Sequence, residues 1–255
     1  MEEYEEAAGL GIETRPVLIG QVSLMLLGKS QEEDFDPLEL LDSMIPVYRE
    51  VLQRLDSAGA DAVQIDEPTL VTDRTDEERA AYTAAYDALA DAADLDLHVA
   101  TYFGSVGDSL PTALDLPVES LHLDLVRGEG QLDAALDYGI PDGMSLSLGL
   151  IDGRNVWRAD LDDLLETVEH AIEAVGSDRV IVGPSCSLLH VPVDLDTEPS
   201  LDDEERLWLA FATQKIEEIV ALAGRAAGDV EGTETPFTQS RRAIASRADS
   251  EWVND

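Results

Sequence analysis

At 255 residues, 44% of them hydrophobic, the chain is long enough to bury the core of one large domain or two small ones. Its 55 acidic residues against 16 basic ones give a formal net charge of −39, which repels nucleic acid and anionic membrane and sets both aside as partners. The lone cysteine, Cys186, rules out an internal disulfide and any zinc site built from several thiolates.

The acids are spread between apolar positions instead of being gathered in one block, so they read as a solvated surface. Such a surface repels itself in dilute buffer, whereas at 1 M salt the Debye length falls to about 3 Å and the repulsion is screened. The composition therefore predicts a salt-adapted, halophilic protein. The opening MEEYEEAAGL lacks the basic and apolar stretches of a secretion signal, and no run reaches the ~18 consecutive apolar residues of a membrane-spanning helix. A cytoplasmic location is expected.

Residues 1–14 read as an acidic N-terminal segment, 15–227 as a β/α domain, and 228–255 as a polar C-terminal tail. Six apolar or β-branched runs, each ending in Gly, Pro, Ser or Asp, predict strands: Pro16 to Leu27, Ala62 to Val71, Leu95 to Phe103, Ser120 to Val126, Met144 to Ile151, and Arg179 to Leu189. After the first, Asp36 caps and Pro37 opens a helix whose stripe runs from Leu38 to Leu55 and ends at Gly59. After the second, Thr75 with Glu78 forms a capping box before Tyr82, Tyr86 and Leu89. After the fifth, a stripe from Leu161 to Ile172 leads to Gly176, which suits a left-handed C-cap. Trp208, Phe211, Ala212, Ile219 and Leu222 predict one last helix.

Strands alternating with helices imply right-handed crossovers and a parallel sheet. No glycine fingerprint for a dinucleotide or a P-loop follows any strand, which favours a TIM-type (β/α)8 barrel over the nucleotide-binding folds. A closed barrel needs eight units, and six are present. Either two units precede Met1, or another chain completes the sheet, or the sheet stays open.

Barrels carry their chemistry at the C-terminal ends of strands. Here those ends are Asp66-Glu67-Pro68, Thr101-Tyr102-Phe103, Asp124, Asp152 to Arg154, and Ser185-Cys186-Ser187. Asp66 and Glu67 are adjacent, so they point to opposite faces and cannot form a facing acid/base pair. One of them is expected to face a pocket; a cap or ion-pair role is the competing reading. Cys186 and His190 lie four apart, but His190 falls beyond the strand and a buried inert thiol is the favoured reading. His98, His122 and His170 read as structural or surface residues. Arg127, Arg154 and Arg158 are either local anion sites in an acidic protein or partners of Asp124 and Asp160.

In order, the strand ends read PVLIGQVSLMLLGKS, VQIDEPTLV, TYFGSVGDSL, LHLDLVRG, LSLGLIDGRNVWRADL and GPSCSLLHVPVDLDTE, followed by LDDEERLWLAFATQKIEE. From about Arg15 to Leu222 this succession resembles the N-terminal half of cobalamin-independent methionine synthase, the folate-dependent homocysteine methyltransferase. The resemblance implies a two-barrel enzyme whose second barrel holds zinc, homocysteine and most of the folate site. At the places of the second barrel's zinc ligands this chain carries Ala100, Tyr102, Asp124 and Cys186, so the resemblance makes Asp124 and Cys186 remnants of a degenerate site. Arg154 stands where the second barrel has its proton-donating His, and Asp66 where an Asp holds the homocysteine amine.

The implied function is a component of methyl transfer from a 5-methyltetrahydrofolate polyglutamate, or a related pterin, to homocysteine. The chain holds no cofactor alone and acts with a separate zinc-bearing methionine synthase barrel. Asp66, Glu67 and Arg154 are the catalytic candidates, and Asp66, Asp124 and Ser185 the substrate-binding ones. The alternative is a non-catalytic pterin-binding or structural module that stabilises the partner.

Overall fold

The computed structural model describes residues 1–31 and 34–254, and these form two compact units. The first comprises residues 1–123 and 130–146, the second 124–129 and 147–255. Among the described residues no helix is long and apolar enough to cross a membrane.

The first unit runs through α1 (Glu2–Gly9), β1 (Val17–Ile19), α2 (Gln21–Leu27), α3 (Leu41–Ser57), β2 (Ala62–Asp66), α4 (Asp76–Leu89), β3 (Asp96–Ala100), α5 (Leu110–Leu114), β4 (Ser120–Asp124) and α6 (Gln131–Tyr138). β1 to β4 pair in parallel, with Ile19 opposite Asp66, Asp66 opposite Ala100, and Ala100 opposite His122. That register brings the C-terminal strand ends level with one another. Val63, Ile65, Leu97, Val99, Leu121 and Leu123 are buried, as strands covered by helices require.

The second unit continues with β5 (Ser145–Ile151), whose first two residues belong to the first unit. It then runs through α7 (Leu161–Val175), β6 (Val180–Pro184), α8 (Asp203–Trp208), α9 (Ala212–Ala226), α10 (Val230–Asp249) and α11 (Glu251–Asn254). Backbone bonds from Leu125 to the Gly149 carbonyl and from Ser185 to the Ile151 carbonyl extend the ladder. The strands follow one another in chain order in one six-stranded sheet, six of the eight units of a closed barrel.

The capping signals act as predicted: Asp36 accepts from the Leu38 N–H at 2.9 Å, and Thr75 and Glu78 form the reciprocal box. All six strands are shorter than the apolar runs that predict them, and at three of them a glycine or a proline marks the end. Pro16 to Leu27 gives only three residues of strand, because Gly20 is the N-cap of α2 and the helix formers Leu24, Met25, Leu26 and Leu27 follow. Ala62 to Val71 stops at Asp66, where Pro68 opens a 3₁₀ turn, and Arg179 to Leu189 stops at Pro184. Pro37–Leu40 is likewise a 3₁₀ turn, with α3 beginning at Leu41.

Gly176 has φ +90° but ψ 149°, an extended mirror-image conformation instead of the expected left-handed helical cap. The single last helix is two, α8 and α9, because Leu209 bridges to Trp157 and Ala210 donates to the Val156 carbonyl at 2.9 Å. Residues 228–255, polar by composition, contain the 20-residue α10; Asp255 lies outside the described residues. Phe237 of α10 is fully buried, with the Arg225 guanidinium 4.1 Å from its ring centre. Ser240 donates to the Ala159 carbonyl at 2.7 Å and accepts from the Leu161 N–H at 3.0 Å.

Candidate functional site

In the first unit the chemistry lies where β2 ends, and its two adjacent carboxylates have opposite surroundings. Asp66 is half-buried and accepts from Gln64 Nε2 at 2.8 Å and from the Tyr102 hydroxyl at 3.1 Å. Tyr102 meets Phe103 edge-on, with ring centres 4.7 Å apart. Phe103 takes φ +76°, which costs a side-chain-bearing residue roughly 1–2 kcal/mol.

Glu67 is completely buried and its donors come from neutral groups: the Ser23 N–H at 3.0 Å, the Tyr86 hydroxyl at 3.0 Å and the Ser23 side chain. Burial pushes its carboxyl up to about 7 against the opposing effect of these hydrogen bonds. A Cβ on Gly20 would lie 1.9 Å from Glu67 Oε1, so only glycine fits where the chain leaves β1. Ser23 and Thr69 share a 2.7 Å hydroxyl bond, Thr69 meets the Tyr82 hydroxyl, and Tyr48 donates to the Ile19 carbonyl at 2.7 Å. Burial raises the phenols of Tyr48, Tyr82 and Tyr86 above their ordinary range.

In the second unit the ends of β4, β5 and β6 supply Asp124, Asp152 to Asn155, and Ser185 with Cys186. Asp124 is buried and accepts from the backbone N–H groups of Val126 at 3.1 Å and Arg127 at 2.9 Å. Asp152 accepts from the Arg154 N–H at 2.7 Å and from Asn155 Nδ2 at 2.8 Å. Ser185 Oγ accepts from the Gly153 N–H at 3.1 Å, and a Cβ at Gly153 would lie 2.7 Å from the Cys186 carbonyl oxygen. The Arg154 side chain is exposed.

Burial first, then the charges of Asp124 and Asp152, raise the Cys186 thiol, while Ser185 and Arg154 oppose the shift. His190 is exposed on the following 3₁₀ turn, Leu188–His190. An inert thiol matches this environment, since the thiolate is the reactive form. His98 is half-buried and bonded to Ser120 Oγ, and burial followed by the Arg15 charge lowers its pKa.

Behind the β5 loop lie two residues that sequence reasoning missed. Lys215 is 1% exposed and donates to Asn155 Oδ1 at 3.3 Å and to the Trp157 carbonyl at 3.2 Å. Glu218 is 1% exposed, accepts from the Ala159 N–H at 3.2 Å, and faces Arg158 at 3.7 Å. Arg158 also donates to the carbonyls of Leu207 at 3.2 Å and Leu209 at 3.3 Å. Burial raises Glu218 to about 7 and lowers Lys215. Their signal is the spacing Phe211, Lys215, Glu218, Leu222, which puts two charges on the apolar stripe of α9.

The four residues that the resemblance sets against zinc ligands do not fit the metal. Ala100 brings no donor, the Tyr102 hydroxyl is engaged with Asp66, Asp124 binds backbone N–H groups, and the Cys186 thiol is held up by burial. Among the described residues no group of three or more His, Cys, Asp or Glu side chains could hold a metal ion.

Residues 1–176 match the family model described as the N-terminal domain of cobalamin-independent synthase. The whole chain is 68% identical to 33% of a Salinibacter ruber protein named 5-methyltetrahydropteroyltriglutamate–homocysteine methyltransferase. A Caulobacter vibrioides protein of the same name is 50% identical over the whole chain, again across 33% of its length. The chain thus spans about a third of these relatives. The solved structure of a B12-independent methionine synthase from a Shewanella species superposes with a TM-score of 0.64 at 14% identity, covering 89% of this chain and 66% of that one. At that identity the likeness speaks for the fold alone.

Proposed function

This chain belongs to the cobalamin-independent synthase family through its N-terminal domain, and from that membership we propose that it is the N-terminal-type component of a homocysteine methyltransferase. The reaction would move a methyl group from a 5-methyltetrahydropteroyl glutamate to homocysteine, giving methionine. The observation that carries the reading is identity of 68% along the whole chain to a third of a relative bearing that activity in its name.

In this reading the strand-end groups bind and orient substrate. Arg154, exposed in a chain of net charge −39, is where a carboxylate of the anionic donor is received. Asp124 and Ser185 shape the strand ends around it through their backbone bonds, and Asp66 with Tyr102 offers a polar contact in the first unit. Glu67 is sealed from solvent, so its role is to lock the end of β2 and not to meet substrate. Zinc, which activates a thiol by stabilising its thiolate, belongs in this reading to a separate barrel, and no step here passes through it. The protein works in a salt-rich cytoplasm, where its surface charge is screened.

The test is methionine formation from homocysteine and 5-methyltetrahydropteroyltriglutamate in molar salt, with the purified chain alone and with a separately produced zinc-bearing barrel of the family. The expected result is no turnover alone and turnover with the partner. Activity of the chain alone would overturn the division of labour. A partner that is stabilised but no faster would favour the non-catalytic module, a reading that the missing zinc donors support.

A further inference from the structure

We propose that Lys215 is a positioning residue that acts through the β5 loop to set the place of the Arg154 guanidinium. The inference deepens the reading above, in which Arg154 receives a carboxylate of the donor.

Residues 152–159 are held at three levels. The first is internal: Asp152 takes the Arg154 N–H at 2.7 Å and Asn155 Nδ2 at 2.8 Å, while Asn155 Oδ1 takes the Trp157 N–H at 3.0 Å. The second is β6, where Ser185 Oγ takes the Gly153 N–H at 3.1 Å and the Cys186 backbone leaves no room for a side chain at position 153. The third is α9. Lys215 reaches Asn155 and the Trp157 carbonyl, and Glu218, one turn later, takes the Ala159 N–H at 3.2 Å. Asn155 is the pivot, since its amide joins Asp152, the Trp157 backbone and Lys215.

A lysine is a costly choice at that position. Enclosing an ammonium carries a desolvation penalty, and a methionine would fill similar volume without it. What lysine adds over methionine is donors, and both of its hydrogen bonds go to the loop. Arg154 lies between Asp152 and Asn155, the two residues whose side chains this chain of bonds fixes, and its charge acts on the Cys186 thiol beside Ser185. The buried lysine thus orders a loop that exposes Arg154, together with Trp157, at the chemically active end of the sheet.

The experiment uses the full chain at one fixed salt concentration and two readouts. The first is tryptic cleavage after Arg154 relative to cleavage after Arg127, a strand-end arginine in the same unit. In Lys215→Met the ratio is expected to rise about tenfold through local opening, whereas global destabilisation would raise both cleavages together. The second is the Kd of 5-methyltetrahydropteroyltriglutamate. Arg154→Ala is expected to weaken binding about tenfold or more, Lys215→Met about fivefold, and the double variant no more than Arg154→Ala alone. Should Lys215→Met fail to fold, Asn155→Ala breaks the same link from the loop side and is expected to give the same two results.

An unchanged cleavage ratio, or losses that multiply in the double variant, would overturn the positioning role. Donor binding unaffected by Arg154→Ala, with the cleavage ratio still raised, would instead sink the proposed carboxylate contact and leave the loop assignment standing.

Discussion

Glu67 and Glu218 are both enclosed, one in each unit, and both carboxyls are raised to about 7, yet their enclosures are built from opposite materials. Glu67 sits among hydroxyls and a backbone N–H. Glu218 faces Arg158 and feels Lys215. Burial is the largest cause in both cases; it is opposed at Glu67 by neutral hydrogen bonds and at Glu218 by the charges of Arg158 and Lys215 together with the Ala159 N–H. Arg158 gives donors to two carbonyls and Lys215 gives both of its bonds to the β5 loop, while Glu218 Oε2 has no hydrogen-bond partner among the described residues. Both cations favour the ionised Glu218 through their charge, but their donors are spent on the backbone and the β5 loop.

The strongest way to break the comparison is Arg158→Met. Removing the cation leaves Glu218 enclosed without it and two backbone carbonyls without donors, and the expected cost is about 4 kcal/mol. Urea midpoints at fixed salt measure it, and a loss under about 1 kcal/mol would mean that the cation contributes nothing net.

Next is the pH dependence. In the unfolded chain a glutamate ionises near 4.5, and in the fold these two ionise near 7. Between those values the folded state holds more protons, so the stabilisation is complete below about 4.5 and is lost as pH rises through about 7. For Glu67 the span corresponds to about 3 kcal/mol. Glu67→Gln should remove that share of the slope between pH 5 and pH 8 and leave the share of Glu218. Equal slopes in variant and parent would refute the buried neutral state.

The smallest expected effect sharpens the comparison. Tyr86→Phe deletes one of the hydrogen bonds to Glu67, should cost about 1 kcal/mol, and should move the carboxyl further up. Thermal midpoints and the pH at which stability falls give both parts of the answer.

The local punctuation of this fold was legible in the sequence. Asp36-Pro37 and Thr75 with Glu78 start helices through bonds within four residues of themselves, and Gly59 ends α3 with φ +89°. Strand lengths were less legible, because an apolar run does not say where a chain will leave the sheet. Just after β1 the Glu67 carboxyl occupies the space where a side chain at Gly20 would lie, and that neighbour is 47 positions further along the chain. The break between α8 and α9 depends in the same way on the bridge from Leu209 to Trp157. Of the candidate residues, the ends of the apolar runs pointed to Asp66, Asp124, Arg154 and Ser185, but they could not separate Asp66 from Glu67. Alternation sets them on opposite faces without saying which face is closed.

By itself, then, the sequence determined the succession of β/α units, the acidic surface and the family resemblance, because propensity, periodicity, charge and motif order are properties of the chain before it folds. Only the tertiary structure decided which polar groups are enclosed and what each one holds. Lys215 reaches Asn155 across 60 residues and Ser23 reaches Glu67 across 44, and the cost of enclosing a charge depends on such distant partners and not on its neighbours in sequence.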